Sequence, residues 1–130
     1  MITDIQEDTG HETVRMINES GATAHFFQAD VPKAAQVDQA FDAIRDQIGA
    51  YDVLFNHAGT IIVKPLHKST EENNDRLMDI NVRSAFLVCR RAMPKMVANG
   101  GGSVVITACI ASELGYTLES LYCRSKGAVC

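Results

Sequence analysis

No apolar run in the chain approaches the ~20 residues of a membrane-spanning helix, so no such span is expected. Nor is there a cluster of lysine and arginine, and the formal net charge is −4. Nucleic acid and anionic membrane are therefore not expected as partners. The four cysteines, Cys89, Cys109, Cys123 and Cys130, contain no C-x-x-C spacing. With nothing else that looks secreted they read as reduced thiols, Cys89 buried in a helix. His11, His25, His57 and His67 are scattered without a ligand pattern, which argues against a metal site. Met1-Ile2-Thr3-Asp4 lacks the basic start and apolar core of a signal peptide, and the expected location is the cytoplasm. No internal repeat or low-complexity segment stands out.

What is present suits one soluble domain. The chain has 130 residues, 46% hydrophobic and 22% charged, long enough to bury a sizeable core. Met1 to Ile5 reads as a strand end closed by Asp4. Thr9-Gly10-His11-Glu12 has the form of a capping box opening a helix with Val14 and Ile17 inward. Ala24 to Ala29 is a second strand with Asp30 at its end. A helix follows with Val37, Phe41, Ile44 and Ile48 on its apolar face, stopped by Gly49. Tyr51 to Phe55 is the third strand, leading into Asn56-His57-Ala58-Gly59.

Ser69 and Glu72 suggest a second capping box, ahead of a long helical region to about Ala98. Its expected inward stripe is Leu77, Ile80, Phe86, Leu87 and Met93. Asn99-Gly100-Gly101-Gly102 follows this helix and precedes the strand Val104-Val105-Ile106. A phosphate-binding fingerprint needs the reverse order, so these glycines read as a helix cap and turn. Strand–helix alternation predicts parallel strands, right-handed crossovers and helices on both faces. Ligands in such sheets sit beyond the carboxyl ends of the strands, where Asp4, Asp30, Asn56 and the segment after Ile106 all fall.

Tyr122 and Lys126 stand four apart in a stretch of helical character, one turn apart on one face. A free phenol has a pKa of about 10 and is a poor acid–base catalyst at neutral pH. A fixed cation beside it should bring that value down and make a proton exchanger for a carbonyl–alcohol interconversion. Taken alone, the pair reads more readily as a solvated surface pair, and the case rests on what lies upstream.

Together these residues resemble the short-chain dehydrogenase/reductase family, Rossmann-fold oxidoreductases that use NAD or NADP, over the whole chain. The resemblance implies a doubly wound parallel sheet in three α/β/α layers, residues 1–130 forming a partial dinucleotide-binding domain. Asn56-His57-Ala58-Gly59 looks like the family's Asn-Asn-Ala-Gly turn bordering the cofactor, and Asp30-Val31 like its adenine-contacting pair. Asp4 falls where an acidic residue binds the adenosine ribose, implying NAD over NADP. Asn81 resembles the catalytic asparagine that holds a water. Tyr122 and Lys126 resemble the acid–base pair, both beside the cofactor, with Lys126 also on the nicotinamide ribose. Cys109 stands where the family places its catalytic serine, thirteen residues before the tyrosine.

Three departures go with it. The family's first strand and its Thr-Gly-x-x-x-Gly-x-Gly turn are not found, which would leave two inner sheet edges unpaired and favour a homo-oligomer. A thiol donates a weaker hydrogen bond than serine. The later strands and substrate lid are not found either, and Arg124 replaces a small residue. The implied activity is hydride transfer between nicotinamide and a secondary alcohol or ketone, impaired in this chain. The alternative is a catalytically silent domain that binds a nucleotide or a partner chain. A flavodoxin-like module is a distant third, because Asp4-Ile5-Gln6-Glu7-Asp8 is too acidic for its phosphate loop. Leu114, Tyr116, Leu118 and Leu121 suggest an apolar pocket wall.

Overall fold

The computed structural model describes residues 1–130 and alternates strand with helix from the start. Strand β1 (Ile2–Asp4) leads to α1 (Glu7–Glu19), β2 (Phe26–Gln28) to α2 (Ala34–Gln47), and β3 (Val53–Asn56) to a long helical region. That region comprises α3 (Glu71–Met78), one π turn (Asp79–Arg83) and α4 (Ser84–Ala98). Strand β4 (Ser103–Ile106) and helix α5 (Ser120–Gly127) complete the order. The four strands fall where short β-branched or aromatic runs predict them.

All pairing is parallel, in two separate two-stranded sheets. In one, Ile2 stands opposite Phe26 and Asp4 opposite Gln28. In the other, Val53 stands opposite Ser103 and Asn56 opposite Ile106. Parallel register brings the carboxyl ends of each pair level, so Asp4 and Asp30 share one rim and Asn56 and Thr107 the other. Each of the four strands has a single strand partner, and Val53, Phe55, Val104 and Val105 remain exposed. Such open apolar edges invite further pairing. Helices α2 and α4 close over a small core of Val37, Leu87 and Val88, with Val31, Phe41 and Leu54 packed against it.

Local details depart from the sequence pattern in three places. Helix α1 begins at Glu7, so Thr9 lies inside it and caps nothing; Glu7 and Asp8 instead place negative charge at its positive end. Thr70, not Ser69, caps α3. Its hydroxyl accepts the Asn73 N–H and the Asn73 side chain accepts the Thr70 N–H, both at 3.3 Å. Ser69 is already committed to the Pro65 carbonyl. Finally, Phe86 and Met93 point outward, 62% and 50% exposed, and Ala85, Val88, Ala92 and Met96 face in. The buried Leu77, Asn81, Ser84, Val88, Ala92 and Met96 keep one helical period through the π turn, and Phe86 and Met93, nine and sixteen residues on from Leu77, fall on the opposite side of it. Cys89 is only half-buried.

Gly100 and Gly101 take φ values of 99° and 115°, the left-handed region that a helix C-terminus requires. Gly102 matters for a different reason. A Cβ there would meet the Asp52 backbone oxygen at 2.2 Å and the Met96 methyl at 2.6 Å. Gly102→Ala must push β3 and β4 apart, and we expect a loss of about 1–3 kcal/mol in a urea melt. An unchanged midpoint would contradict that packing.

Candidate active site

The site is built at the carboxyl rim of the β3–β4 pair. Asn56 is buried at the end of β3, and its carbonyl accepts the Thr107 N–H at 3.0 Å. Thr107 carries two further contacts. Its carbonyl accepts the Lys126 ammonium at 2.8 Å, and its hydroxyl meets His57 Nδ1 at 3.0 Å. Lys126 is only 5% exposed, and that carbonyl is its one hydrogen-bond acceptor within the chain. A buried ammonium with so few acceptors is costly, and it leaves two N–H donors for an oxygen-rich ligand.

Asn81 sits in the π turn, buried, and its amide ties three segments together. Its oxygen accepts the Thr60 N–H at 2.7 Å, and its nitrogen donates to the Thr60 carbonyl and the Ser125 hydroxyl, each at 2.9 Å. Ser125 donates in turn to the Tyr122 carbonyl at 2.8 Å. Gly59 makes room for this arrangement. A Cβ there would lie 3.3 Å from Asn81 Oδ1 and 3.6 Å from Lys126 Nζ. Ala58 and Gly59 are exposed on the turn after β3.

Tyr122 and Lys126 share α5, as their spacing predicts, but the expected lowering of the phenol is not found. Burial pushes the Tyr122 hydroxyl up to about 12, helped by its hydrogen bond to Cys109. The Lys126 ammonium stands 6.0 Å from the Tyr122 ring centre and is drawn to the Thr107 carbonyl instead. The same contact works the other way on sulfur. The Ala111 N–H, then the Tyr122 hydroxyl, hold the Cys109 thiol below its ordinary value. Cys109 and Tyr122 are therefore near enough for each to shift the other's proton affinity.

The remaining predicted residues lie on the other strand pair or beside it. Asp4 is exposed at the end of β1, one carboxylate oxygen accepting the Gln6 N–H at 2.8 Å. Asp30 is half-buried and pairs with Lys33 at 3.1 Å, while Val31 packs against the core. Leu114, Tyr116 and Leu118 of the anticipated apolar wall are exposed; Leu121 is half-buried. Arg124 turns outward to the side-chain oxygen of Asn74. Sequence reasoning missed Thr107, Thr60 and Ser125. Two of them act through backbone groups, which no residue type announces, and Ser125 differs from any helical serine only by its distant partner.

An α/β domain whose parallel strands end on a rim of buried polar groups has the ligand-binding architecture of a Rossmann-like fold. The short chain dehydrogenase family model matches residues 1–130, and the chain belongs to that family. It is 34% identical over 128 residues to a cyclopentanol dehydrogenase of Comamonas sp. (strain NCIMB 9872), covering 98% of this chain and 51% of that protein. An L-2,3-butanediol dehydrogenase of Corynebacterium glutamicum is 34% identical over 125 residues, 95% of this chain and 48% of that one. The chain thus spans about half the length of the curated relatives it matches. Among solved structures, a gluconate 5-dehydrogenase from Burkholderia cenocepacia J2315, in complex with NADP and tartrate, superposes with a TM-score of 0.92 at 30% identity. That match covers 98% of this chain and 50% of the other. A 7 alpha-hydroxysteroid dehydrogenase complexed with NADH superposes at 0.93 with 27% identity, covering 98% and 49%. The fold is the Rossmann-like one of this family, and no helix is long and apolar enough to cross a membrane.

Proposed function

We propose that this chain carries the acid–base centre of an NAD(P)-linked oxidoreductase acting on a secondary alcohol or ketone. The carrying observation is Lys126, a buried ammonium with one internal acceptor, one helical turn from a phenol at the strand rim. Tyr122 exchanges the proton of the substrate oxygen. Cys109, in contact with that phenol, stands where a second donor to the oxygen belongs. The free N–H groups of Lys126 suit the hydroxyls of a ribose, and Ala58 and Gly59, with Asn56 behind them, border the same space. A bound nicotinamide supplies the hydride donor or acceptor. The other strand pair offers Asp4, with one carboxylate oxygen still unengaged, and Asp30 and Val31 for the adenosine end. We place the protein in the cytoplasm, where its four free thiols would stay reduced, and expect its open strand edges to favour a homo-oligomer.

The Asp4 carboxylate repels a 2′-phosphate, so NADH should bind more tightly than NADPH. Fluorescence titration of both against the chain, and against Asp4→Asn, reads this. Equal or tighter NADPH binding by the parent would remove Asp4 from the ribose.

The raised phenol fixes a pH dependence. Ketone reduction needs the protonated phenol, which persists through neutral pH because its pKa lies near 12. The reduction rate should therefore be flat from about pH 6 to 9. Alcohol oxidation needs the phenolate and should climb by up to about tenfold per pH unit over that range. Both rates are read in a fusion that supplies the flanking segments of the cyclopentanol dehydrogenase.

A second reading is favoured by the same phenol. With Lys126 bound to Thr107 and Tyr122 held neutral, the chain would bind a nucleotide and stay catalytically silent. NADH binding with no Tyr122-dependent turnover in the fusion would establish that reading over the first.

A further inference from the structure

Helix α5 carries both proposed reactive groups, Tyr122 and Lys126, yet it has little apolar anchorage. It is eight residues long, its N-terminus has no side-chain cap, and the only side chains it buries are Ser125 and Lys126. Lys126 is an end of the machinery and cannot also be its support. That leaves Ser125, with no exposed surface at all. Its hydroxyl accepts one hydrogen bond and donates another in one line. It accepts from Asn81 Nδ2 at 2.9 Å and donates to the Tyr122 carbonyl at 2.8 Å. The Asn81 amide continues the line to both backbone groups of Thr60. The loop after β3, the π turn and the first turn of α5 are thus joined through one hydroxyl.

We infer that Ser125 is a positioning residue, whose hydroxyl sets where α5 holds Tyr122 and Lys126 relative to the Thr60–Asn81 bracket. This deepens the oxidoreductase reading and rests on it for its kinetic consequence. Without the hydroxyl, one Asn81 N–H is left buried without an acceptor, and α5 loses its only specific tie to the turn that carries Gly59. A displacement of reacting groups by an ångström costs on the order of a hundredfold in rate.

Two variants separate hydrogen bonding from packing. Ser125→Ala removes the hydroxyl, while Ser125→Cys keeps the volume but offers a poor donor and acceptor. In the fusion with the cyclopentanol dehydrogenase segments, both should lower kcat about ten- to a hundredfold with KM for the alcohol within about threefold. In the 130-residue chain itself, ¹⁵N spectra should show one Asn81 side-chain proton losing protection from exchange and the other, held by Thr60, keeping it. Asn81→Ala combined with Ser125→Ala should cost little more than either alone. The proposal is overturned if Ser125→Cys keeps the parent kcat. It is equally overturned if all losses vanish once rates are corrected for the folded fraction. Tyr122→Phe distinguishes the two levels: an active Tyr122→Phe fusion removes Tyr122 as the proton carrier, the reading on which the kinetic consequence rests. A dead Tyr122→Phe beside a normal Ser125→Cys sinks only the positioning role.

Discussion

Tyr122→Phe should lower turnover by about a thousandfold or more in the fusion with cyclopentanol dehydrogenase segments, with little loss of NADH affinity. The ring is kept, so its packing on α5 survives, and the hydroxyl alone is removed. General acid–base groups supply about a hundred- to ten-thousandfold. No other side chain at this rim can take the role. Lys126 is engaged with the Thr107 carbonyl, and the His57 ring is tied to the Thr107 hydroxyl. The Cys109 thiol is the remaining proton carrier, but it meets the phenol itself. Steady-state rates with NAD and a simple secondary alcohol check this, with NADH titration as the control for folding and binding. Retention of even a tenth of the parent rate would show that the proton travels by another route.

Cys109→Ser should raise turnover, by about tenfold or more. A donor aimed at a developing alkoxide is typically worth on the order of a hundredfold, and a thiol delivers little of that because its hydrogen bonds are long and weak. In this site the sulfur is further disposed to lose its proton. The Ala111 N–H and the Tyr122 hydroxyl both favour the thiolate, a negative charge where the reaction needs a donor. A serine hydroxyl at the same position stays protonated and can donate to the substrate while still accepting from Tyr122. It should also relieve the phenol, since coulombic repulsion from Cys109 is among the influences that raise it. The measurement is kcat for parent, Cys109→Ser and the double variant with Tyr122→Phe. A gain that survives in the double variant would mean the serine acts without the tyrosine. No gain at all, beside a dead Tyr122→Phe, would leave Cys109 as a packing residue at the end of β4.

The elements and the Tyr–Lys pair could be read from the chain because both are written in short-range patterns. Four short runs of β-branched and aromatic residues, each bounded by turn residues, became the four strands. The four-residue spacing of Tyr122 and Lys126 needed only a helix to put them one turn apart. Where the chain has a constant period the inward faces followed as well, as Val37 and Ile44 of α2 show.

On α4 Leu87 faces inward as expected, but Phe86 and Met93 do not, because they stand about half a turn out of phase with Leu77 and small or polar residues, Asn81, Ser84 and Ala92, fill the inward positions instead. The electrostatic sense of the site was equally out of reach. A lysine four residues from a tyrosine predicts a lowered phenol only if its ammonium stays nearby. Packing offered it a carbonyl nineteen residues away, and the phenol was left with burial and a sulfur. The Thr60–Asn81–Ser125 line spans twenty-one and forty-four residues of sequence and ends on backbone groups. Side-chain identity carries local geometry and approximate chemistry. Which donor meets which acceptor depends on segments brought together by folding, and that in turn sets the pKa values on which the chemistry runs.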